Sequence, residues 1–334
     1  MKKRIAIWSL MMMLAIVLTA CGGNNKESEA VTGTTENAGN QEAAATDKPV
    51  AEESKTKIVK YLDQEYELPA STERIVITGA VEAMEDSIVL EVNPVGAITF
   101  SGVFPPMFAS ITEGTESVGE KIEPNFEKIL SLKPDVILAS TKFKPEVVEQ
   151  LQKIGPTIPY SHISTNWEAN LLLLGELTGK KDKAAEVIAQ YKKDLDETKS
   201  QLSEKLKDKK VLVARVREGD LYIYPEAVYF NPVIYEELGI AAPEEVKAAK
   251  AQELLSVEKL AEMNPDYLFL QFSPDENKDT PKALEDLQND PILKNINAFK
   301  NGAAFVNVVD PLAQGGTAYS KIEFLKAIIA NLSK

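Results

Sequence analysis

Short apolar runs bounded by turn residues recur along this chain, and helical patterns fall between them. Arg74–Thr78, Val95–Thr99, Asp135–Ala139 and Thr157–Tyr160 predict strands. Glu82–Leu90, Asn125–Leu132 and Pro145–Ile154 predict the intervening helices, an alternation that gives a parallel sheet with helical crossovers. Lys57–Leu62 and Tyr66–Leu68, flanking Asp63-Gln64, predict an opening hairpin, and Trp167–Leu177 predicts a helix ending at Gly179. Asp182–Leu206 then runs without Gly or Pro. Its apolar positions Ala185, Ile188, Ala189, Leu195, Leu202 and Leu206 predict one long helix, a strut rather than an ordinary crossover. Beyond it, Lys210–Arg217 and Leu221–Tyr224 predict strands around Glu218-Gly219-Asp220. Asn231–Leu238, Glu258–Met263, Pro281–Leu287, Pro291–Asn295 and Ala318–Leu332 predict helices, with strands at Tyr267–Gln271 and Ala304–Val308.

Two segments repeat each other. Phe126–Leu138 (FEKILSLKPDVIL) and Val257–Phe269 (VEKLAEMNPDYLF) both read as helix, Pro-Asp turn, buried strand, with Glu127 and Glu258 on the first helical turn. Their wide separation excludes a solenoid and implies two similar α/β lobes with a cleft between them. The expected organisation is a signal peptide at 1–20, a disordered tether at 21–57, lobes at 58–180 and 207–334, and a linking helix at 181–206.

The front end follows a different pattern. Met1-Lys2-Lys3-Arg4 precedes an apolar run, Ile5–Ala20, too short for a confident membrane span, and Leu18-Thr19-Ala20-Cys21 looks like a lipobox. Cys21 is the only cysteine, which excludes a disulfide framework and a thiolate metal site. Lipidation at Cys21 would place the protein on the outer face of a cytoplasmic membrane of Gram-positive type. The polar, small-residue stretch after it cannot bury enough surface to fold. The formal charge is −14. Cleavage after Ala20 removes three cations and makes it about −17, which argues against nucleic acid and makes any basic cluster informative.

Catalytic chemistry is poorly represented. His162 is the only histidine, and no HExxH, nucleophile elbow or glycine-rich phosphate loop occurs. Gly315-Gly316, ahead of a helix, reads as a loop-to-helix turn in preference to an anion site. Lys142 lies just past a strand's carboxyl end, where open α/β sheets bind ligands. Lys121 precedes the first repeat helix, and Arg215 and Arg217 project from one strand face.

Four stretches, Ile77–Asp86, Leu138–Phe143, Tyr222–Glu226 and Asp310–Ala318, resemble the substrate-binding lipoproteins of ABC importers for iron–siderophore complexes. The resemblance covers the chain beyond the tether. It implies two lobes with central β-sheets flanked by helices and joined by one long helix, a class III periplasmic-binding-protein-like fold. It also implies a monomeric binding protein, with no enzymatic activity and no cofactor or resident metal. The expected cargo is a ferric catecholate of bacillibactin or enterobactin type. On that resemblance Lys121, Lys142 and Arg217, with Arg215 close by and Gln252 as a polar contact, grip the trianionic complex. Glu127 and Glu258 dock on the membrane permease. Glu218 departs from the pattern, standing where a neutral Gln is expected. The alternatives are a hydroxamate siderophore, haem or cobalamin as cargo, a lipoprotein enzyme acting on an anionic substrate, and metal-ion binding by His162 with carboxylates.

Overall fold

A computed structural model describes residues 55–333. The signal peptide, Cys21 and nearly all of the expected tether lie outside them. An antiparallel hairpin, β1 (Thr56–Tyr61) and β2 (Gln64–Pro69), opens the fold. It turns through Leu62-Asp63, with Leu62 at φ 51°, so the turn falls one residue earlier than expected.

The first sheet comprises β3 (Ile75–Thr78), β4 (Gly96–Thr99), β5 (Glu116–Glu120), β6 (Val136–Ser140) and β7 (Thr157–Tyr160), ordered β5-β4-β3-β6-β7 and wholly parallel. Its crossovers carry α1 (Val81–Leu90), α2 (Phe126–Ser131) and α3 (Pro145–Gln152), and α4 (Trp167–Leu177) follows. Every residue of β6 is buried because helices cover both faces. Alternate positions therefore feed different cores, with Val136 and Leu138 in the main one and Ile137 and Ala139 in a smaller one against α2 and α3.

One helix, α5 (Lys181–Leu206), joins the lobes and is about 39 Å long. Its buried positions are Ala184, Ile188, Tyr191, Thr198, Leu202 and Leu206. Ala185 and Ala189 are exposed, since they fall off the stripe that this spacing traces around the helix. The second sheet contains β8 (Val211–Arg217), β9 (Asp220–Ile223), β10 (Glu253–Leu254), β11 (Tyr267–Phe272) and β12 (Ala304–Val306), ordered β10-β9-β8-β11-β12. β8, β11 and β12 are parallel, while β9 and β10 complete an antiparallel edge. The expected helix at 231–238 is a π-helical turn, Val233–Glu237. The helices of this half are α6 (Glu244–Ala248), α7 (Val257–Met263), α8 (Ala283–Asn289), α9 (Asn297–Lys300) and α10 (Ala318–Leu332). β5 and β10 escape the sequence pattern because they are exposed edge strands with little apolar character.

The repeat has a structural cause. β6 pairs with β3, the first strand of its sheet, and β11 pairs with β8, the first of the other. Asp135 accepts hydrogen bonds from the backbone N–H groups of Glu73 and Arg74 (2.9 and 2.8 Å), and Asp266 accepts one from Lys210 (3.0 Å). Each Pro-Asp carboxylate thus fastens its turn to the start of the neighbouring strand. Asn125 and Ser256 cap the two helices through Lys128 N–H and Lys259 N–H, one residue before each repeat begins. The carboxyl-terminal helix α10 is not confined to the second lobe, because it packs on α1, α4 and α5 as well.

Candidate functional site

The carboxyl ends of the parallel strands deliver the charged groups. Lys121 directly follows β5, Lys142 lies two residues past β6 and His162 two past β7. Arg215 and Arg217 occupy alternate positions at the carboxyl end of β8, while Ala214 and Val216, facing oppositely, are buried. These five residues, with Gln252, line one cavity of about 470 Å³ between the lobes. All five ligand-binding residues expected from the sequence are therefore brought together.

Two carboxylates share that cavity, and sequence reasoning did not find them. Glu82, on the first turn of α1 and almost fully buried, lies 2.9 Å from Lys142 Nζ. Glu276 lies 2.8 Å from Arg215 and 3.4 Å from Arg217. Glu82 stands inside a stretch that carried the resemblance, but nothing in its spacing pairs it with Lys142 sixty residues on. Glu276 sits on a short 3₁₀ turn, Pro274–Asn277, with no sequence signal at all. Arg217 Nη1 donates to Gln252 Oε1 (2.8 Å), which also accepts from Tyr224 OH (3.0 Å). Arg215 stands over the Tyr229 ring, 5.4 Å from its centroid.

Lys121 is the free cation, without a hydrogen-bond or ion-pair partner among the described residues. Burial, then the neighbouring charges of Lys142 and Arg215, hold its pKa below the usual lysine range. Burial, then Lys142, likewise lowers the pKa of His162, whose Nδ1 is 2.7 Å from Thr141 Oγ1. Arg215 Nε, Arg217 Nε and Tyr229 OH are shielded from solvent yet make no hydrogen bond among the described residues. Buried donors are rarely left unpaired, so this cluster is equipped to receive the oxygens of an anion. Among the described residues, no cluster of three or more His, Cys, Asp or Glu side chains could hold a metal ion.

The periplasmic binding protein family matches residues 113–306. Over 332 residues the chain is 51% identical to the iron-uptake system-binding protein of Bacillus subtilis (strain 168), covering 99% of each chain. The chain belongs to the periplasmic binding protein family. Two crystal structures of the Bacillus subtilis protein FeuA agree. One superposes with a TM-score of 0.80 at 57% identity, covering 83% of this chain and all of the other. The second, of FeuA as a triscatecholate siderophore-binding protein complexed with ferri-bacillibactin, gives 0.77 at 57% identity, covering 83% and 98%. A relative described as an ABC transporter substrate-binding lipoprotein, also from Bacillus subtilis (strain 168), is 26% identical over 250 residues, covering 70% of this chain and 71% of its own length. As a member of this family the chain is a binding protein rather than an enzyme.

The remaining expected residues lie away from the cavity. Glu127 and Glu258 are exposed on the first turns of α2 and α7 and form no ion pair among the described residues. Glu218 (φ 52°) and Gly219 (φ 89°) form the two-residue turn between β8 and β9, where left-handed backbone suits the strand twist. Glu218 is exposed and is not among the residues lining the cavity. Gly315 and Gly316 serve close packing. A Cβ on Gly315 (φ 80°) would meet the Tyr229 backbone at 2.4 Å, and one on Gly316 would meet Ser164 of the opposite lobe at 2.5 Å.

Proposed function

We propose that this chain captures a ferric tris-catecholate siderophore of bacillibactin type in the interlobe cavity and delivers it to an ABC permease. Four cationic side chains drawn from both lobes converge on one cavity that also presents buried donors without a hydrogen bond among the described residues, and this is the observation that carries the reading. A ligand of charge −3 is costly to desolvate unless cations meet it, and guanidinium groups can also stack on catechol rings. Lys121, Lys142, Arg215, Arg217 and Gln252 are the contacts. The crystallised relative with ferri-bacillibactin supports this choice over a hydroxamate, haem or cobalamin. Glu127 and Glu258, one per lobe at equivalent helix starts, present the docking pair to the permease. Cys21 anchors the monomeric chain by lipid to the outer face of the membrane.

Titration of the lipidated chain, cleaved before Cys21, in detergent tests the reading. Trp167, packed edge-on against Tyr191 at 5.3 Å, is the sole tryptophan beyond the apolar leader and supplies the fluorescence signal. Quenching by ferric bacillibactin, with none by a ferric hydroxamate, haem, cobalamin or free Fe³⁺, is the expected result. Equal quenching by a hydroxamate complex would remove the catecholate assignment.

A further inference from the structure

Glu276 has no role in gripping an anionic cargo, yet it occupies the arginine pair that should do so. Its Oε2 lies 2.8 Å from Arg215 Nη2 and its Oε1 3.4 Å from Arg217 Nε. Neither contact is a directed fork. Glu276 Oε2, Arg215 Nε and Arg217 Nε are all shielded from solvent without a well-formed hydrogen bond. The attraction is therefore charge proximity, without the paired N–H···O geometry that makes Arg–carboxylate contacts strong and specific. Nor do the guanidiniums depend on Glu276 for their placement. Gln252 holds Arg217 at 2.8 Å, and the Tyr229 ring lies under Arg215. Lys142 differs, because Glu82 is the one partner its ammonium has among the described residues.

Glu276 also stands where the cleft divides. Together with Lys121, Arg215, Arg217 and Gln314 it lines both the main cavity and a second compartment of about 350 Å³. It sits on the four-residue turn that follows β11, between the exposed residues Asp275 and Lys278. A carboxylate so placed stands at the boundary of the two compartments, against the arginines that line both.

We infer that Glu276 is a resident anion, which neutralises the Arg215–Arg217 pair in the empty cleft and must leave before cargo oxygens can take its place. It is a specificity-determining residue, because only an anion able to outcompete a tethered carboxylate gains the two arginines. Cargo affinity is then the intrinsic affinity multiplied by the fraction of molecules in which Glu276 has swung away. The inference rests on the anionic-cargo reading above.

The test compares Glu276→Gln with Asp275→Asn in the lipidated chain cleaved before Cys21, using ferric bacillibactin and Trp167 fluorescence, with thermal melts to confirm folding. Asp275 is exposed on the same turn, lines the second compartment and among the described residues pairs only with Lys278 at 3.5 Å, so its substitution removes one negative charge without touching the arginines. Glu276→Gln should tighten binding by at least about tenfold and speed association, while Asp275→Asn stays within about twofold. Equal gains in both variants would mean general electrostatics and overturn the inference. Unchanged or weaker binding in Glu276→Gln would make Glu276 a supporting group and also overturn it. If the wild-type chain fails to bind ferric bacillibactin, the cargo reading itself falls and takes this inference with it.

Discussion

Ser320 Oγ lies 2.5 Å from Glu85 Oε2, joining α1 of the first lobe to the first turn of α10, 235 residues later. Glu85 also accepts from Gln314 N–H (2.7 Å) and from the Thr317 hydroxyl. Its neighbour Asp86 accepts from Tyr160 OH (2.7 Å) and Ala318 N–H (3.2 Å). Burial pushes Glu85 up to about 7 and Asp86 up to about 8, the hydrogen bonds offsetting part of that rise.

That pair predicts a pH-dependent stability. Both folded-state values exceed the ordinary ones of 4.5 and 3.8, so between these limits the folded chain holds protons that the unfolded chain releases. The contribution of this pair to stability should therefore be fully present below about pH 4 and be lost as pH rises to about 8, by up to about 1.4 kcal/mol per pH unit for each group. Urea unfolding at pH 5.5 and 8.5 measures it, and Glu85→Gln or Asp86→Asn should flatten the slope. A wild-type stability that rises over this interval would contradict the assignment.

The basic group should separate affinity from stability in an unequal way. Arg217→Ala should weaken ferric-catecholate binding by tenfold or more with little change in melting temperature, since truncating one partner of a desolvated charge contact costs about 2–5 kcal/mol. Lys142→Ala should lose as much affinity but also destabilise, because it strands the Glu82 side chain, which is only 5% exposed. That loss stays below the roughly 3–5 kcal/mol of a fully buried pair, because the Lys142 side chain is 46% exposed. Adding Glu82→Gln should restore the melting temperature without restoring affinity.

Lys121 should make capture weaken at alkaline pH. Only the ammonium form attracts an anion, and its depressed pKa brings neutralisation to a lower pH than for an ordinary lysine. Fluorescence titrations from pH 7 to 10 should show affinity falling as pH rises, and Lys121→Arg should abolish the fall by keeping the charge. Identical pH profiles for the two proteins would exclude Lys121 as the titrating contact.

Capture and delivery should use different surfaces. The double substitution Glu127→Ala/Glu258→Ala should abolish siderophore-dependent growth while purified affinity stays within about twofold, well under the tenfold that about 1.4 kcal/mol represents. Both side chains are exposed and outside the cavity, so lost ligand binding in the double variant would count against docking.

Much of this architecture is local in origin and therefore legible in the chain itself. Phe126–Leu138 and Val257–Phe269 announced two lobes because each contains its own helix, Pro-Asp turn and buried strand, patterns fixed by short-range periodicity. The uninterrupted Lys181–Leu206 run announced the single strut, and Arg215 and Arg217 on a core strand announced a basic site. The tertiary structure decided what depends on pairs far apart in sequence. Glu82 meets Lys142, Glu276 meets both arginines, and Glu85 meets Ser320 only because chain crossovers bring separate strand ends and helix ends together. A carboxylate reads the same in sequence whether solvated, paired or buried. Its energy is set by desolvation and by neighbours that the fold alone supplies.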